Sequence, residues 1–333
     1  TLTLSGGAVA STVKVDGSTN AVGVYLSDFT FAKVTNTITG SNQTFTVVAQ
    51  DGYGRNATNS VSVTLPSSVS YSYDGNGNLT GDGTRSFGYD DENQLVSAEV
   101  SNAWRVWYQY DEQGRRRVRR EYTLSGSSSN LVSETRYVYD GLLAIQERDG
   151  SNNPKVSYTR GLDLSGTLDG AGGIGGLLAR TDQSGYSVPH AYYFHDGNGN
   201  VTALANNQGQ VVARYVYDPF GNLLGMSGWL ADGNTYRFSD KEYDPKAGIY
   251  YYGYRFYEPN LQRWLNQDPL GETGGVNLYA FVGNDPTASI DPLGDARVKI
   301  RLPKGYSGAV DQWNGANGPD FEIHIKNKQG NEV

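Results

Sequence analysis

Two aspartates stand out because one four-residue motif carries both: Asp268-Pro269-Leu270-Gly271 and Asp291-Pro292-Leu293-Gly294. Two carboxylates brought together can share one proton, one acting as base on a water and the other as acid. The same motif also makes a good turn, since Asp bonds the amides ahead of it and Gly closes the bend. A second set lies near the end of the chain. Alternation along 321–326 places Glu322, His324 and Lys326 on one strand face. Such a trio could serve acid–base chemistry in a nuclease; the competing reading is a solvated strand face. Residues 295–333 hold 6 Lys and Arg against 5 Asp and Glu, so no basic footprint accompanies the trio.

Other clusters resolve into structure more readily than into chemistry. Asp74-x-Asn76-x-Asn78 and Asp196-x-Asn198-x-Asn200 open like calcium loops. The sixth positions are Leu79 and Val201 and the twelfth are Arg85 and Asn207, where an EF-hand requires Gly and Glu. Turn formation is the reading kept. His190 and His195 lack the further ligands a zinc site needs, so no metal and no cofactor is expected. The Gly-rich run 169–176 lacks the Gly-Lys-Ser/Thr of a phosphate loop and reads as a flexible connector. Arg115, Arg116, Arg117, Arg119 and Arg120 form a basic cluster flanked by Glu112 and Glu121, and ion pairing within the fold is its expected use.

The chain has 333 residues, no Cys, 43 Gly, 11 Pro and 25 Tyr, with a formal net charge of −8. The missing Cys excludes a disulfide framework, a Cys-zinc site and a Cys nucleophile together. The acidic balance argues against a nucleic-acid surface over the whole protein. No stretch approaches the roughly 18 apolar residues of a membrane helix. The start at Thr1 is unlike a signal peptide, and its abrupt strand-like opening reads as a piece of something longer.

The expected fold is all-β. Residues 1–66 carry short strand-type runs around the turn-rich segment 50–56, the pattern of an immunoglobulin-like sandwich, with a boundary at Pro66-Ser67-Ser68. From Tyr71 an aromatic-Asp-x-x-Gly unit recurs, most fully at Asp74, Asp111, Asp196 and Asp218, and partially at Asp90 and Asp140. Tyr ends a strand, Asp opens a turn, and Gly takes a positive-φ position. Each repeat is therefore one strand–turn–strand unit, stable only when stacked on its neighbours. Gly77, Gly114, Gly199 and Gly221 should hold that φ. Helical periodicity is nearly absent; 261–265 reads as a single turn of helix.

At these repeats the chain resembles the Rhs/YD-repeat family, bacterial relatives of the teneurin shell. The resemblance covers about 71–294 and is carried most specifically by 250–257, 263–271, 277–286 and 291–294. It implies a β-sheet spiral or shell over 67–249, an Rhs-associated core segment over 250–294 and, from 295 to 333, the start of a variable toxin-type region. It implies a structural cocoon that encloses or presents a C-terminal effector in cis, with an immunity protein and a secretion apparatus as partners. A secreted or cell-surface location, or delivery into target cells, would follow.

In some members of the family the core is an aspartyl autoprotease that cuts after the second motif. Asp268 and Asp291 match its two aspartates, and Arg263 matches a basic residue whose expected job is structural. One departure bears on cleavage. The family commonly has an apolar residue after the second Gly, whereas this chain has Asp295. Burying that charge beside two carboxylates is costly, so the 294/295 bond is expected to stay intact. Three readings stand at this point: a structural shell, a self-cleaving aspartyl protease, and a teneurin-like adhesion surface that binds carbohydrate.

Overall fold

The structure is a computed structural model that describes residues 2–7, 10, 12–16, 22–25, 30–36, 42–64, 68–183, 185, 190–295, 298–299, 307–315 and 318–326. The chain divides into two compact units, one of residues 1–67 with 300–333 and the other of residues 68–299. Regular structure is almost wholly strand, interrupted by three 3-10 turns of three residues each among the described residues.

In the first unit, Leu2–Gly7, Thr30–Asn36 and Val22–Tyr25 form one antiparallel sheet, and Thr12–Val15, Asn42–Gln50 and Asn56–Thr64 form another. Val13, Val15 and Phe45 are buried together. Asp51 caps the turn between the last two strands through the amides of Tyr53 and Arg55, at 2.9 and 3.0 Å. A further hairpin pairs Ser307–Gly315 with Gly318–Lys326. Glu322, His324 and Lys326 fall on its second strand, but their side chains lie outside the described residues.

The second unit is built on one antiparallel sheet of fourteen strands, from Ser72–Tyr73 to Leu223–Ser227, each pairing with its neighbours in sequence. The repeat explains this order. At Asp74 one carboxylate oxygen accepts the amides of Asn76 (3.0 Å) and Asn78 (2.9 Å), and the other accepts the Asn78 side chain (2.9 Å). Asp196 and Asp218 repeat the arrangement with Asn200 and Asn222, and Asp111 does so with Arg115. Both oxygens are thereby engaged in turn bonds, as the turn reading of the 74–78 and 196–200 motifs requires. Gly77, Gly114, Gly199 and Gly221 have φ of 80, 72, 75 and 86°. Sequence reasoning missed the same cap at Asp149, where Asn152 (φ 67°) replaces the Gly.

Residues 229–295 pack on this sheet and build its core. Ala247, Ile249, Tyr251, Phe256 and Leu265 bury against Leu79, Phe87, Leu95, Val106 and Tyr108. Ala231 and Tyr236 bury against Val156, Tyr158, Tyr193 and Tyr215. A four-stranded sheet, Glu242–Asp244, Ile249–Tyr251, Phe256–Glu258 and Arg263–Trp264, runs through this segment. Arg263–Trp264 is extended, so the expected helical turn over 261–265 does not form. Backbone pairing to Glu258 and Tyr257 outweighs the short apolar spacing that prompted it.

One further reading changes and one holds. The Gly-rich run is no loose connector: Ala171, Gly172, Gly173, Ile174 and Gly176 are buried. Buried Asp163 holds it by accepting the amides of Ala171 (2.7 Å) and Gly173 (3.1 Å). Glycine serves close packing here rather than freedom. The basic cluster does pair within the fold, and much of it is buried. Arg116 meets Glu242, Arg119 meets Asp244 and Glu121, Arg115 meets Asp111, and Arg120 meets Glu134.

Candidate functional site

Both motif aspartates cap their own turns. Asp268 Oδ1 accepts the amide of Leu270 at 2.9 Å, and Asp291 Oδ1 accepts the amides of Gly294 at 2.7 Å and Asp295 at 3.1 Å. Each has a second oxygen left, and both second oxygens face one guanidinium. Arg255 Nη2 lies 2.9 Å from Asp268 Oδ2 and 3.4 Å from Asp291 Oδ2. Arg255 Nε donates to the carbonyl oxygen of Gly294, the acyl side of the 294/295 peptide. Its Nη1 donates to Leu278 O at 3.2 Å, and its carbon centre lies 4.3 Å from the centroid of the Trp264 ring.

The structure therefore brings Asp268 and Asp291 together around Arg255. Arg263, the family-matched residue whose expected job is structural, lies apart from them. Its Nε donates to Trp264 O at 3.1 Å, its Nη1 donates to the Tyr73 hydroxyl at 3.2 Å, and it stacks on the Tyr279 ring at 4.3 Å. Its contacts are structural, and no ion pair to it is seen among the described residues. The sequence signal for Arg255 was a lone basic residue inside the aromatic block 250–257, where only a paired charge can be buried.

The 291–295 turn is seated at several further points. Ser289–Ile290 pairs with Val298–Lys299, so the turn lies between two paired strands. Tyr254 N–H donates to Leu293 O at 2.9 Å. The buried Lys241 ammonium donates to Pro292 O at 2.5 Å and to Gly172 O at 2.8 Å. Burial, reinforced by Arg160, pushes Lys241 down to about 7 against the opposing pull of Asp240, Asp291 and Asp163. Burial raises Asp295 from its ordinary value; Arg255 draws it down and Asp268 adds to the rise.

Chemically, this is an ion-pair arrangement. One guanidinium faces both carboxylates and also polarises the Gly294 carbonyl. Among the described residues of this unit, no other candidate joins the site. His195 stacks on Tyr193 and lies 3.2 Å from Asp240, as the aromatic of its repeat. Among the described residues no group of His, Asp and Glu is disposed to hold a metal ion.

A consecutive antiparallel sheet whose turns are capped by Asp and which carries a buried aromatic core defines a YD-repeat shell. The chain belongs to the Rhs/YD-repeat family: residues 44–128 match the teneurin YD-shell and residues 195–235 the RHS repeat. The first of these matches begins inside the residues expected to form the sandwich. The chain is 31% identical over 269 residues to the tRNA3(Ser)-specific nuclease WapA of Bacillus spizizenii, covering 77% of this chain and 10% of that protein. It is 40% identical over 97 residues to toxin subunit YenC2 of Yersinia entomophaga, covering 27% and 10%. It thus spans about a tenth of the length of these relatives. In fold it resembles a chain of the Tc holotoxin pore of Photorhabdus luminescens, with a TM-score of 0.54 at 20% identity over 78% of this chain and 14% of that one. No helix among the described residues is long and apolar enough to cross a membrane.

Proposed function

We propose that the chain is part of a structural shell that encloses or presents a C-terminal effector, with 67–249 as wall, 250–294 as core and 295 onward as the start of the variable region. The carrying observation is the seam between the sheet and residues 229–295, which pack on it. Arg116 and Arg119, on one sheet strand, and Arg85, in a turn, pair with Glu242, Asp244 and Glu258 of that segment. Tyr137 and Tyr108 hydroxyls donate to Glu242 and Asp244 at 2.7 and 2.8 Å. Such buried pairs fix one register of that segment on the sheet more than they add stability. Relatives named as a nuclease and as toxin subunits fit a toxin-type protein, secreted or delivered, whose effector follows the core.

The test is protection of that effector. In the natural full-length protein, a protease that digests the isolated effector should leave it uncut while it is joined to the wall and core. Loosening the seam with Arg119→Met should expose it. An effector cut equally fast in both proteins would overturn the reading.

A second reading, self-cleavage after Gly294, is favoured by one observation: the Gly294 carbonyl accepts from Arg255, which also faces Asp268 and Asp291. Asp295 opposes it, because a half-buried carboxylate on the leaving side adds negative charge beside Asp268.

A further inference from the structure

We infer that Lys241 is a positioning residue that locks the 291–294 turn onto the Gly-rich loop 169–176, making that loop the seat of the chain segment leaving the core. This deepens the shell reading and rests on it for purpose. The lock itself is a local contact that can be measured separately.

The backbone before Lys241 is strained. Ser239 and Asp240 both have positive φ, 52 and 54°, although neither is glycine and both are buried. Two such residues in succession persist only where the surroundings over-determine them. Here the strained turn aims two adjacent side chains at one loop. Asp240 Oδ2 accepts the amide of Leu177, at the loop's end, at 2.9 Å. Lys241 Nζ reaches the Gly172 carbonyl in its middle.

The third party is the turn itself. Lys241 Nζ also donates to Pro292 O, so one nitrogen bridges a wall carbonyl and a core carbonyl. Gly172 makes this approach possible: a Cβ there would run into the Pro292 carbonyl, and its φ is 61°. Gly173 abuts Leu143, and Gly175 lies against Gly199 of the repeat turn beside it. The loop is thus a shaped surface, held from behind by Asp163 and read from in front by Lys241.

Two carbonyl acceptors call for two N–H donors, which either protonation state of the amine supplies. The lock therefore persists whether or not Lys241 is charged. The other groups near the amine are Asp163, Arg160, Asp240 and Asp291, with Glu242 and Tyr252 lining the same small cavity.

The experiment is site-resolved amide exchange on the full chain carrying Lys241→Met, which keeps bulk and removes the donors. Tyr254, Gly294 and Asp295, whose amides bond to or within the turn, should exchange at least about tenfold faster. Gly77 and Gly114, in distant repeat turns, should be unchanged. Gly172→Ala approaches from the other side of the contact with Lys241 intact and should loosen the same three amides; it decides the matter if Lys241→Met fails to fold. Unchanged exchange at all three amides would overturn the inference, as would equal acceleration in the distant turns. Failure of the shell reading would show instead as an unprotected effector with this lock intact.

Discussion

Arg119 grips Asp244 with two nitrogens, Nε at 2.7 Å from one carboxylate oxygen and Nη2 at 3.0 Å from the other, across 125 residues of chain. Both are buried, and Tyr108 adds a third donor to the same carboxylate. Removing one partner leaves an uncompensated buried charge, which costs about 3–5 kcal/mol. Arg119→Met alone should therefore lower stability by about that amount in urea unfolding. Arg119→Met with Asp244→Leu should recover much of it, because only the part-exposed Glu121 then loses a partner and no deeply buried charge is orphaned. A double variant as unstable as the sum of the singles would show that the pair acts independently.

The same carboxylate sets an acid limit. Burial alone would raise Asp244, but the charge and hydrogen bonds of Arg119 outweigh it and hold the group at about 2, below the unfolded 3.8. A depressed carboxylate contributes stability that is complete above its unfolded value and disappears as pH falls through its folded one. This contribution should drain between pH 3.8 and about 2. Asp244→Asn should flatten that part of the stability–pH curve, measured by urea midpoints at each pH. An unchanged slope would contradict the assignment.

Lys241 acts in the opposite window. Its folded value of about 7 lies below the unfolded 10.5, so between these limits the unfolded chain binds more protons than the folded one. Stability then rises with pH across that interval. Lys241→Met should remove this rise, as thermal melts at pH 7 and pH 9 would show. Persistence of the full rise in the variant would mean that other groups cause it.

Repeat glycines differ in what surrounds them. Gly221 has φ of 86°, and a Cβ there would lie 2.6 Å from the Phe238 ring. Gly114 has φ of 72°, but the nearest atom would be 3.8 Å away. Gly114→Val should cost about 1–2 kcal/mol from backbone strain alone. Gly221→Val should add about 1–3 kcal/mol of overpacking. Equal melting temperatures for the two would count against the packing argument.

The legible part of this protein is its local chemistry. Asp74, Asp111, Asp196 and Asp218 announce their turns because cap, turn and glycine all lie within five residues. Asp268 and Asp291 were legible as a pair through their shared motif, and both turn out to cap turns and to meet. What joins them was hidden. Arg255 was not singled out, because nothing near it in sequence marks its partners, whereas Arg263, matched to the family and expected to be structural, contacts Tyr73 and Tyr279. Glu242, Asp244 and Glu258 carried no signal, since their partners lie more than a hundred residues away. The Gly-rich loop misled because composition alone does not distinguish glycine used for freedom from glycine used for close approach.

The central claim is that this chain holds the 294/295 peptide as structure and does not cut it. Intact mass after prolonged incubation at pH 7 tests this most directly. The account predicts one species at 36.2 kDa, unchanged by Asp291→Asn. A fragment beginning at Asp295, absent from the Asp291→Asn variant, would contradict it and establish self-cleavage instead.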